Sequence, residues 1–261
     1  MERLPITVCV IANSDARLAA ALDSVKDWVA ELVVVFNDDT DAATEQAARS
    51  RGATVFREAW KGHVAQKNSA AAKAGQPWVL GLDSDEVVSA ELRDSIHRLL
   101  DRPAVAERCA AWRFPRCSEY YGRWIRHGDW YPDFQTRLWR RGLAHWGGTD
   151  PHDKLVVDGT VGRLRGELLH YSQESFDQVW QKANRYADDF VRTRAQAGKT
   201  VGRWDFFLRP PWRFFRGYVL LGGFLDGWQG YSIACMTAAY TYLRYAKAWE
   251  RQLAARERGH G

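Results

Sequence analysis

In the segment VLGLDSDEVVS (79–89), an apolar run that is typical of a buried strand ends abruptly in three acidic residues. The fold class that we expect follows from this segment and from the pattern of the chain before it. Residues two apart in an extended segment point to the same side, so Asp83 and Asp85 can face one ligand. Carboxylate pairs of this kind suit hard divalent cations such as Mg²⁺ or Mn²⁺. The alternative is a solvated turn rich in Asp and Ser. We expect Glu86 to point away from this ligand and to begin the next helix, where an acid is favourable.

Upstream of this segment, apolar strands alternate with helical patterns. Strands are predicted at 6–12, 31–36, 53–59 and 77–83, and helices at 16–29, 40–52 and 63–75. Continuous apolar strands separated by helices of this length are typical of a parallel sheet covered on both faces. Ligands of such sheets bind beyond the carboxyl ends of the strands, and the acidic residues lie at one of these ends. The sequence therefore predicts an α/β fold with its site at this edge.

Downstream of the acidic segment, the pattern is less regular. Residues 104–170 are rich in aromatic residues and Gly, which favours short mixed strands and loops. A helix is predicted at 175–198, followed by a loop at Pro210 and Pro211 and by a helical C-terminal segment. The apolar run at 230–243 is shorter than the ~20 residues of a membrane-spanning helix, so no span is expected there.

Composition and charge are those of a globular protein with one unusual segment. The 261 residues are 46% hydrophobic, include 13 Trp and carry a formal net charge of +5. Much of the positive charge follows Arg192 and is interleaved with aromatic residues, as in RPPWRFFRGY (209–218). Such a segment can bind nucleic acid, lie on an anionic membrane or form a solvated face. The four cysteines have no metal-type spacing and no leader pattern precedes the first strand, so we expect reduced thiols in a cytosolic protein.

Eight segments, taken in order, carry a resemblance to a known family. They are ITVCVIAN (6–13), ELVVVFNDDTD (31–41), WKGHVAQKNSA (60–70), VLGLDSDEVVSAEL (79–92), YPDFQTRLWRRG (131–142), PHDKL (151–155), GRLRGELLHYS (162–172) and GGFLDGWQGY (222–231). The first four resemble family 2 glycosyltransferases of GT-A fold. The last four are similar to the branch that adds a sugar, often glucose, to the lipopolysaccharide inner core. The resemblance implies a GT-A mixed sheet with helices on both faces and a C-terminal helical extension.

The resemblance also implies a domain division and a reaction. A catalytic domain is expected at 1–200, with a nucleotide-sugar-binding half at 1–100 and an acceptor half at 101–200. A basic, aromatic helical extension at 201–261 is expected to contact a membrane surface. The implied reaction is the inverting transfer of a sugar, expected to be glucose from UDP-glucose, to a glycolipid acceptor, with Mg²⁺ or Mn²⁺ as cofactor. No nucleic-acid partner is expected, and the enzyme is expected in the cytoplasm, peripheral at the inner membrane.

The family pattern assigns roles to residues near the first and fourth strand ends. Asp85 matches the metal ligand of the family's aspartate pair, and Asp83 is expected to contact the ribose or a metal-bound water. Ala12 and Asn13 are expected near the nucleotide. The family usually continues Asn-Glu-Glu after the first strand, whereas Ser14 follows Asn13 here.

The second strand departs from the family pattern. It usually ends in an Asp that contacts the nucleobase or ribose, and Phe36 stands at that position here. Asn37 is expected to take over this contact, with Asp38 and Asp39 as alternatives. Asp41 matches the Thr-Asp of the family and is also expected to bind the donor.

The remaining candidates concern the base, the donor and the metal. An inverting transfer needs a base that removes the proton of the acceptor hydroxyl. PHDKL offers Asp153, with His152 beside it and Asp150 as the alternative, although the segment also fits a polar turn. Lys67, in the QKN motif, either lies against the donor or is a solvent-facing helical lysine. His170 either completes the metal shell or is structural.

Aromatic and basic residues of the acceptor half have two interpretations each. The aromatic rings can stack on a sugar acceptor or belong to the core; they are Trp112, Tyr120, Tyr121, Trp124, Trp130, Tyr131, Trp139 and Trp146. Four arginines can pair with phosphates of an acidic glycolipid; they are Arg126, Arg137, Arg140 and Arg141.

Three other functions fit parts of the sequence. A family 2 enzyme that builds another polysaccharide or glycoconjugate would share the strand-end motifs. A nucleotidyltransferase also places acidic metal ligands at a strand end, but the N-terminal region lacks a Gly-rich phosphate loop. A non-enzymatic module that binds membranes or nucleic acid through the basic segment would leave the acidic residues purely structural.

Overall fold

The structure is a computed structural model, and it describes residues 3–13, 17–149, 152–172 and 175–258. The chain folds into two compact units. The first unit comprises Met1–Cys117 and Asp133–Tyr171, and the second unit comprises Ser118–Pro132 and Ser172–Gly261. The functional division into 1–200 and 201–261 stays a prediction.

Strands and helices follow one another along the chain. The described strands are β1 (Leu4–Ala12), β2 (Val29–Asn37), β3 (Thr54–Glu58), β4 (Trp78–Asp83), β5 (Glu86–Val88), β6 (Ala111–Tyr120), β7 (Arg123–Trp124), β8 (Asp133–Arg140), β9 (Ala144–Thr149), β10 (His152–Val157), β11 (Val161–Arg163) and β12 (Leu168–Tyr171). The described α-helices are α1 (Leu18–Asp23), α2 (Ala42–Arg49), α3 (His63–Ala72), α4 (Ala90–Leu100), α5 (Pro103–Ala106), α6 (Phe176–Gln196), α7 (Trp204–Phe215) and α8 (Gly227–Arg258).

The first unit is built on a mixed sheet, as predicted. The strand order is β3-β2-β1-β4-β8-β6-β12-β5, and β9 and β10 form a separate antiparallel pair. The four strands β3, β2, β1 and β4 are parallel, and β8 runs antiparallel to β4. The prediction of four parallel strands in the first hundred residues is therefore confirmed.

Alternate residues of the central strand β1 pack on opposite faces of this sheet. Val8 and Val10 belong to a core cluster with Leu92 of α4. Cys9 belongs to a second cluster with Ala70 of α3. Both faces are covered because every side chain of this strand is apolar or small, which is the pattern of a buried parallel strand.

Two sequence predictions around the acidic segment are wrong. Residues 83–85 are not continuously extended, because β4 ends at Asp83 and Asp85 lies in a turn. Glu86 begins strand β5 rather than a helix, because the β-branched residues that follow it pair with β12. Helix α4 begins at Ala90, and its N-cap is Ser89, whose side chain accepts a hydrogen bond from the backbone N–H of Leu92 at 3.2 Å.

The second unit is mainly helical. Helix α6 begins with a capping box, in which Ser175 and Gln178 satisfy each other's backbone N–H groups. The expected loop at Pro210 and Pro211 is wrong, because both residues lie inside α7. Each Pro removes one backbone donor but has a helical φ. The ring of Phe206 in α7 contacts Trp249 of α8, with centroids 5.8 Å apart, and this packing helps to hold the helix.

Two further expectations can be compared with the structure. All four cysteines are free thiols, as predicted. In the described part of the chain, every helix is too short or too polar to cross a membrane.

Candidate active site

The carboxyl edge of the parallel strands brings several predicted donor-binding residues together. Ile11 of β1 is in register with Asp83 of β4, and Ala12 is in register with Phe36 of β2. Ala12, Asn37 and Asp83 are the last residues of three neighbouring strands. Ligands of parallel α/β sheets bind at this edge, so its side chains define the candidate site.

Polar side chains of the loop after β2 make hydrogen bonds that hold the loop in place. The hydroxyl of Thr40 donates to Asn13 Oδ1 at 3.2 Å, which connects the ends of β1 and β2. Asp41 is the N-cap of α2 and accepts hydrogen bonds from the backbone N–H of Thr44 at 2.8 Å and from its hydroxyl at 2.6 Å. These bonds hold the pKa of Asp41 below its usual range. Asp41 therefore has a capping role, and donor contact by Asn13, Asn37 and Asp41 stays a prediction.

Lys67 connects the two most important predicted carboxylates. Its Nζ lies 2.8 Å from Asp83 Oδ1 and 2.8 Å from Asp153 Oδ2. The ammonium also lies 4.6 Å from the ring centroid of Trp146. The residue is only 9% exposed, so the interpretation as a solvent-facing helical lysine is wrong. We call this arrangement the Lys67 bridge.

Arg137 holds the same strand end from the other side. Its Nη2 lies 2.5 Å from Asp83 Oδ2 and 3.3 Å from Glu86 Oε1. Glu86 also accepts the backbone N–H of Asp83 at 3.0 Å. Arg137 is 4% exposed, and its expected contact with phosphates of an acceptor stays a prediction. Through Nη2 it compensates the charge of the partly buried Asp83 and of the fully buried Glu86, which would be left without this cation if Arg137 were removed.

Burial and neighbouring charges shift the pKa values of this cluster, and for Asp83 and Arg137 they act in opposite directions. Burial alone would raise the pKa of Asp83, but the cations of Arg137 and Lys67 outweigh it and lower the pKa below its usual range. Burial raises the pKa of Glu86, which is fully buried and lies beside the negative charge of Asp83. Burial would lower the pKa of Arg137, but Asp83 and Glu86 raise it, so the guanidinium stays charged. Asp83 is therefore the dominant anion of the cluster.

Asp85 and His170 form a second, more open group. Strand β12 pairs antiparallel with β5, and the backbone N–H of Tyr171 donates to the Asp85 carbonyl at 3.0 Å. This pairing brings His170 Nε2 to 3.2 Å from Asp85 Oδ2. The side chain of Asp85 is 36% exposed, in contrast to the buried Glu86. The sequence prediction that these two residues meet rested on the family pattern, and the structure has them in contact.

The chemistry of this pair fits a divalent cation. A carboxylate oxygen and an imidazole nitrogen are ligands that Mn²⁺ accepts, and Mg²⁺ is commonly bound by one or two carboxylates together with substrate phosphates. Asp83 fits less well as a direct ligand, because both its oxygens already have cationic partners. Within the described ranges, no three His, Cys, Asp or Glu side chains are grouped so that the protein alone could hold a metal ion. A bound ion would therefore depend on donor phosphates for part of its shell.

The base region is described in part. Asp153 belongs to β10, which pairs with β9, and Gly148 faces it in register. The alternative base Asp150 lies outside the described residues, and so does the side chain of His152. Donor binding, metal binding and base function of the individual residues stay predictions.

Three contributors to the site were missed or misread from sequence. Glu86 and Arg137 were given other roles, and Trp146 was only one of eight aromatic candidates. Trp146 lies in the core, and its ring lies 5.1 Å from the Arg137 guanidinium carbon. The sequence signal for Arg137 was its place in strand β8 directly before the buried pair Leu138 and Trp139.

The geometry has a clear chemical capacity. Two buried cations lie at the carboxyl edge of a parallel sheet, where an anionic group can pair with them. A carboxylate, Asp153, lies on the opposite side of the Lys67 bridge from Asp83. Asp85, two residues after the end of β4, forms a more open carboxylate–imidazole pair with His170 of β12. This combination is suited to binding a phosphorylated donor beside a general base.

Comparison with known proteins agrees with this chemistry. Residues 7–156, more than half of the chain, match the family described as Glycosyl transferase family 2. The chain therefore belongs to glycosyl transferase family 2, and it is a glycosyltransferase. This result sets aside the nucleotidyltransferase and the non-enzymatic binding module.

Relatives and solved structures extend over almost the whole chain. The lipopolysaccharide core biosynthesis glycosyltransferase LpsC of Rhizobium meliloti is 29% identical over 258 residues, which cover 96% of this chain and 94% of LpsC. An uncharacterized glycosyltransferase of Rickettsia prowazekii is also 29% identical, and the alignment covers 92% of this chain and 85% of that protein. S. aureus TarS in complex with UDP-GlcNAc aligns with a TM-score of 0.50 at 13% identity, covering 97% of this chain and 92% of TarS. The TarS likeness supports the fold alone, and the expected GT-A fold is confirmed.

Proposed function

We propose that this enzyme transfers glucose, with inversion, from UDP-glucose to a glycolipid acceptor of the lipopolysaccharide inner core. The observation that carries the proposal is the Lys67 bridge between Asp83 and Asp153, with Asp85 and His170 beside the same strand end. Support for the acceptor class comes from the name of the relative LpsC, which covers nearly the entire chain.

The proposed reaction forms one bond and breaks one bond at the anomeric carbon. Asp153 accepts the proton of the acceptor hydroxyl while its oxygen attacks the anomeric carbon. The bond from that carbon to the diphosphate oxygen breaks, and the electron pair leaves with the diphosphate. The diphosphate competes with Asp153 for the ammonium of Lys67, so donor binding frees the carboxylate to accept the proton.

A divalent cation would add to this charge balance. Asp85 and His170 would hold the Mg²⁺ or Mn²⁺ ion, which neutralises charge on the diphosphate. Asp83 would remain engaged with Arg137, and its side chain, which is 26% exposed, would orient the ribose.

Membrane association is part of the proposal. Five apolar side chains of α7 recur at helical spacing and are between 45% and 66% exposed; they are Trp204, Phe207, Leu208, Trp212 and Phe215. We call this row the α7 apolar stripe. An exposed stripe with basic neighbours is typical of a helix that lies in a membrane interface. It would keep the enzyme peripheral at the cytoplasmic side of the inner membrane, near its acceptor.

A transfer assay tests the proposal directly. Purified enzyme is given radiolabelled UDP-glucose and deacylated inner-core oligosaccharide, with Mn²⁺ or with EDTA. The expected result is label on the oligosaccharide with Mn²⁺ and a loss of at least tenfold with EDTA. If label were transferred only from another nucleotide sugar, that nucleotide sugar would be the donor in place of UDP-glucose. If no nucleotide sugar gave any transfer, the proposal would be contradicted.

A further inference from the structure

The second unit contains a large cavity of its own. It has a volume of about 720 Å³, which lies within the ~300–1,000 Å³ typical of small-molecule sites. Its wall comes from the segment before Pro132 and from helices α6, α7 and α8. Six aromatic rings line it; they are Tyr120, Tyr121, Trp130, Trp180, Tyr186 and Tyr240. Rings of this kind stack on the apolar faces of sugars as well as on other flat or apolar groups.

The charged residues of the cavity wall are two acids, Glu119 and Asp129, and two bases, Lys182 and Arg213. Asp129 has two arginine partners, since Arg216 pairs with its Oδ1 and Arg213 Nη2 lies 3.4 Å from the same oxygen. Glu119 is engaged by the backbone N–H of Gly122. Because Arg216 also pairs with Asp129, Arg213 can exchange this carboxylate for an anionic group of a ligand in the cavity.

This lining excludes some ligands and favours one class. A bare acyl chain would displace water from the charged wall residues and would offer them no polar group in return, which is unfavourable. A free phosphate would make no use of the aromatic rings. A saccharide with a phosphate or carboxylate uses both, because its C–H faces stack on rings while its anionic group pairs with Arg213 and Lys182.

The position of Arg213 on α7 connects the cavity with the α7 apolar stripe. Arg213 lines the cavity, while Trp212 beside it is 56% exposed and Phe215 is 45% exposed. One helix thus carries a cavity cation and a row of side chains suited to a membrane interface. A ligand that enters beside such a row is expected to be the head group of a lipid rather than a freely diffusing sugar.

We propose that the cavity of the second unit binds the anionic saccharide head group of the glycolipid acceptor. The identification of the ligand as the acceptor rests on the proposed function, whereas the saccharide class rests on the lining. Arg213 is a specificity-determining residue in this proposal, because it selects a charged saccharide over a neutral one.

Calorimetric titration of the full chain with deacylated, phosphorylated inner-core oligosaccharide tests the proposal. Arg213→Gln is expected to weaken binding about tenfold or more, the effect of losing one hydrogen bond to a charged group, and Arg213→Lys is expected to restore part of it. Asp129 keeps Arg216 as a partner in both variants. The matched control is Arg209→Gln, on the same helix but paired with Asp205 and outside the cavity wall, and it is expected to leave the affinity unchanged.

Three results would overturn the proposal. They are an unchanged affinity in folded Arg213→Gln, equally tight binding of inorganic phosphate alone, and displacement of the oligosaccharide by decanoate at equal concentration. Mn²⁺-dependent binding of UDP-glucose is measured on the same samples. If UDP-glucose fails to bind while the oligosaccharide binds through Arg213, the proposed function is contradicted and the cavity assignment stands.

Discussion

The two units use the same kinds of side chain in opposite ways. In the first unit, Lys67 and Arg137 are 9% and 4% exposed, and each lies between two carboxylates. In the second unit, Phe207 and Trp212 are 66% and 56% exposed on α7. Buried charges need their partners, because an unpaired one is strongly destabilising. Exposed aromatic rings need no partner for folding, so they point to something outside the chain. Substitutions in the first unit should therefore change chemistry and stability, and those in the second unit should change binding.

The largest effect is expected from Asp153→Asn. An amide cannot accept the proton of the acceptor hydroxyl, so kcat should fall by about 10²–10⁴-fold, with little change in the KM for UDP-glucose. Steady-state transfer assays measure both quantities. The control is Asp158→Asn, an exposed residue in the turn after β10. Full activity of Asp153→Asn would show that Asp153 is not the base of the reaction.

The next effect concerns stability. Arg137→Met removes the shared partner of Asp83 and Glu86 and should lower the free energy of unfolding by about 3–5 kcal/mol. Urea denaturation measures it, and Arg140→Met at the less buried end of β8 should change it by roughly 0.5 kcal/mol or less. Equal losses in the two variants would show that the buried network has no special role.

The buried acid of the first unit should have a signature in the pH dependence of stability. The folded pKa of Glu86 is raised by burial, so its contribution to stability is complete below its unfolded pKa of about 4.3 and is lost as pH rises through the folded value. Glu86→Gln does not titrate. The variant should therefore gain stability relative to the unmodified protein as pH rises from about 4.3, in urea denaturation at a series of pH values. Parallel curves would contradict the raised pKa.

The smallest effect is expected on membrane binding by the second unit. The double substitution Phe207→Ser and Trp212→Ser removes two exposed rings from the α7 apolar stripe. The affinity for phosphatidylglycerol vesicles, measured by co-sedimentation, should fall by roughly tenfold or more, while the melting temperature stays nearly constant. Tyr242→Ser, exposed on α8, is the control. A large loss of stability with unchanged vesicle binding would show that the α7 apolar stripe serves folding and not membrane binding.

The sequence predicted the parallel strands well because their signal is local. The apolar runs at 6–12 and 31–36 fall within β1 and β2. The roles of Glu86 and Arg137 could not be read in the same way, because the two residues meet across 51 positions of sequence. Lys67 and Asp153 are 86 positions apart, so the bridge needs the assembled sheet. Pro210 and Pro211 were misread because the local rule for Pro was outweighed by packing of α7 on α8.

The family pattern located candidates that physical reasoning from the residues alone left open. Asp85 and His170 come from distant segments, and strand pairing brings them to 3.2 Å. The cavity of the second unit had no sequence signal beyond an excess of aromatic residues, because its wall comes from four separate segments.

Binding of UDP-glucose to Asp85→Ala tests the central claim most directly. Isothermal titration with Mn²⁺ present compares this variant with the unmodified enzyme and with Asp94→Ala, an exposed control on α4. We predict saturable, Mn²⁺-dependent binding by the unmodified enzyme and by Asp94→Ala, and at least a tenfold loss in Asp85→Ala with an unchanged melting temperature. Unchanged, Mn²⁺-dependent binding by Asp85→Ala would contradict the assignment of the strand end after β4 as the donor site.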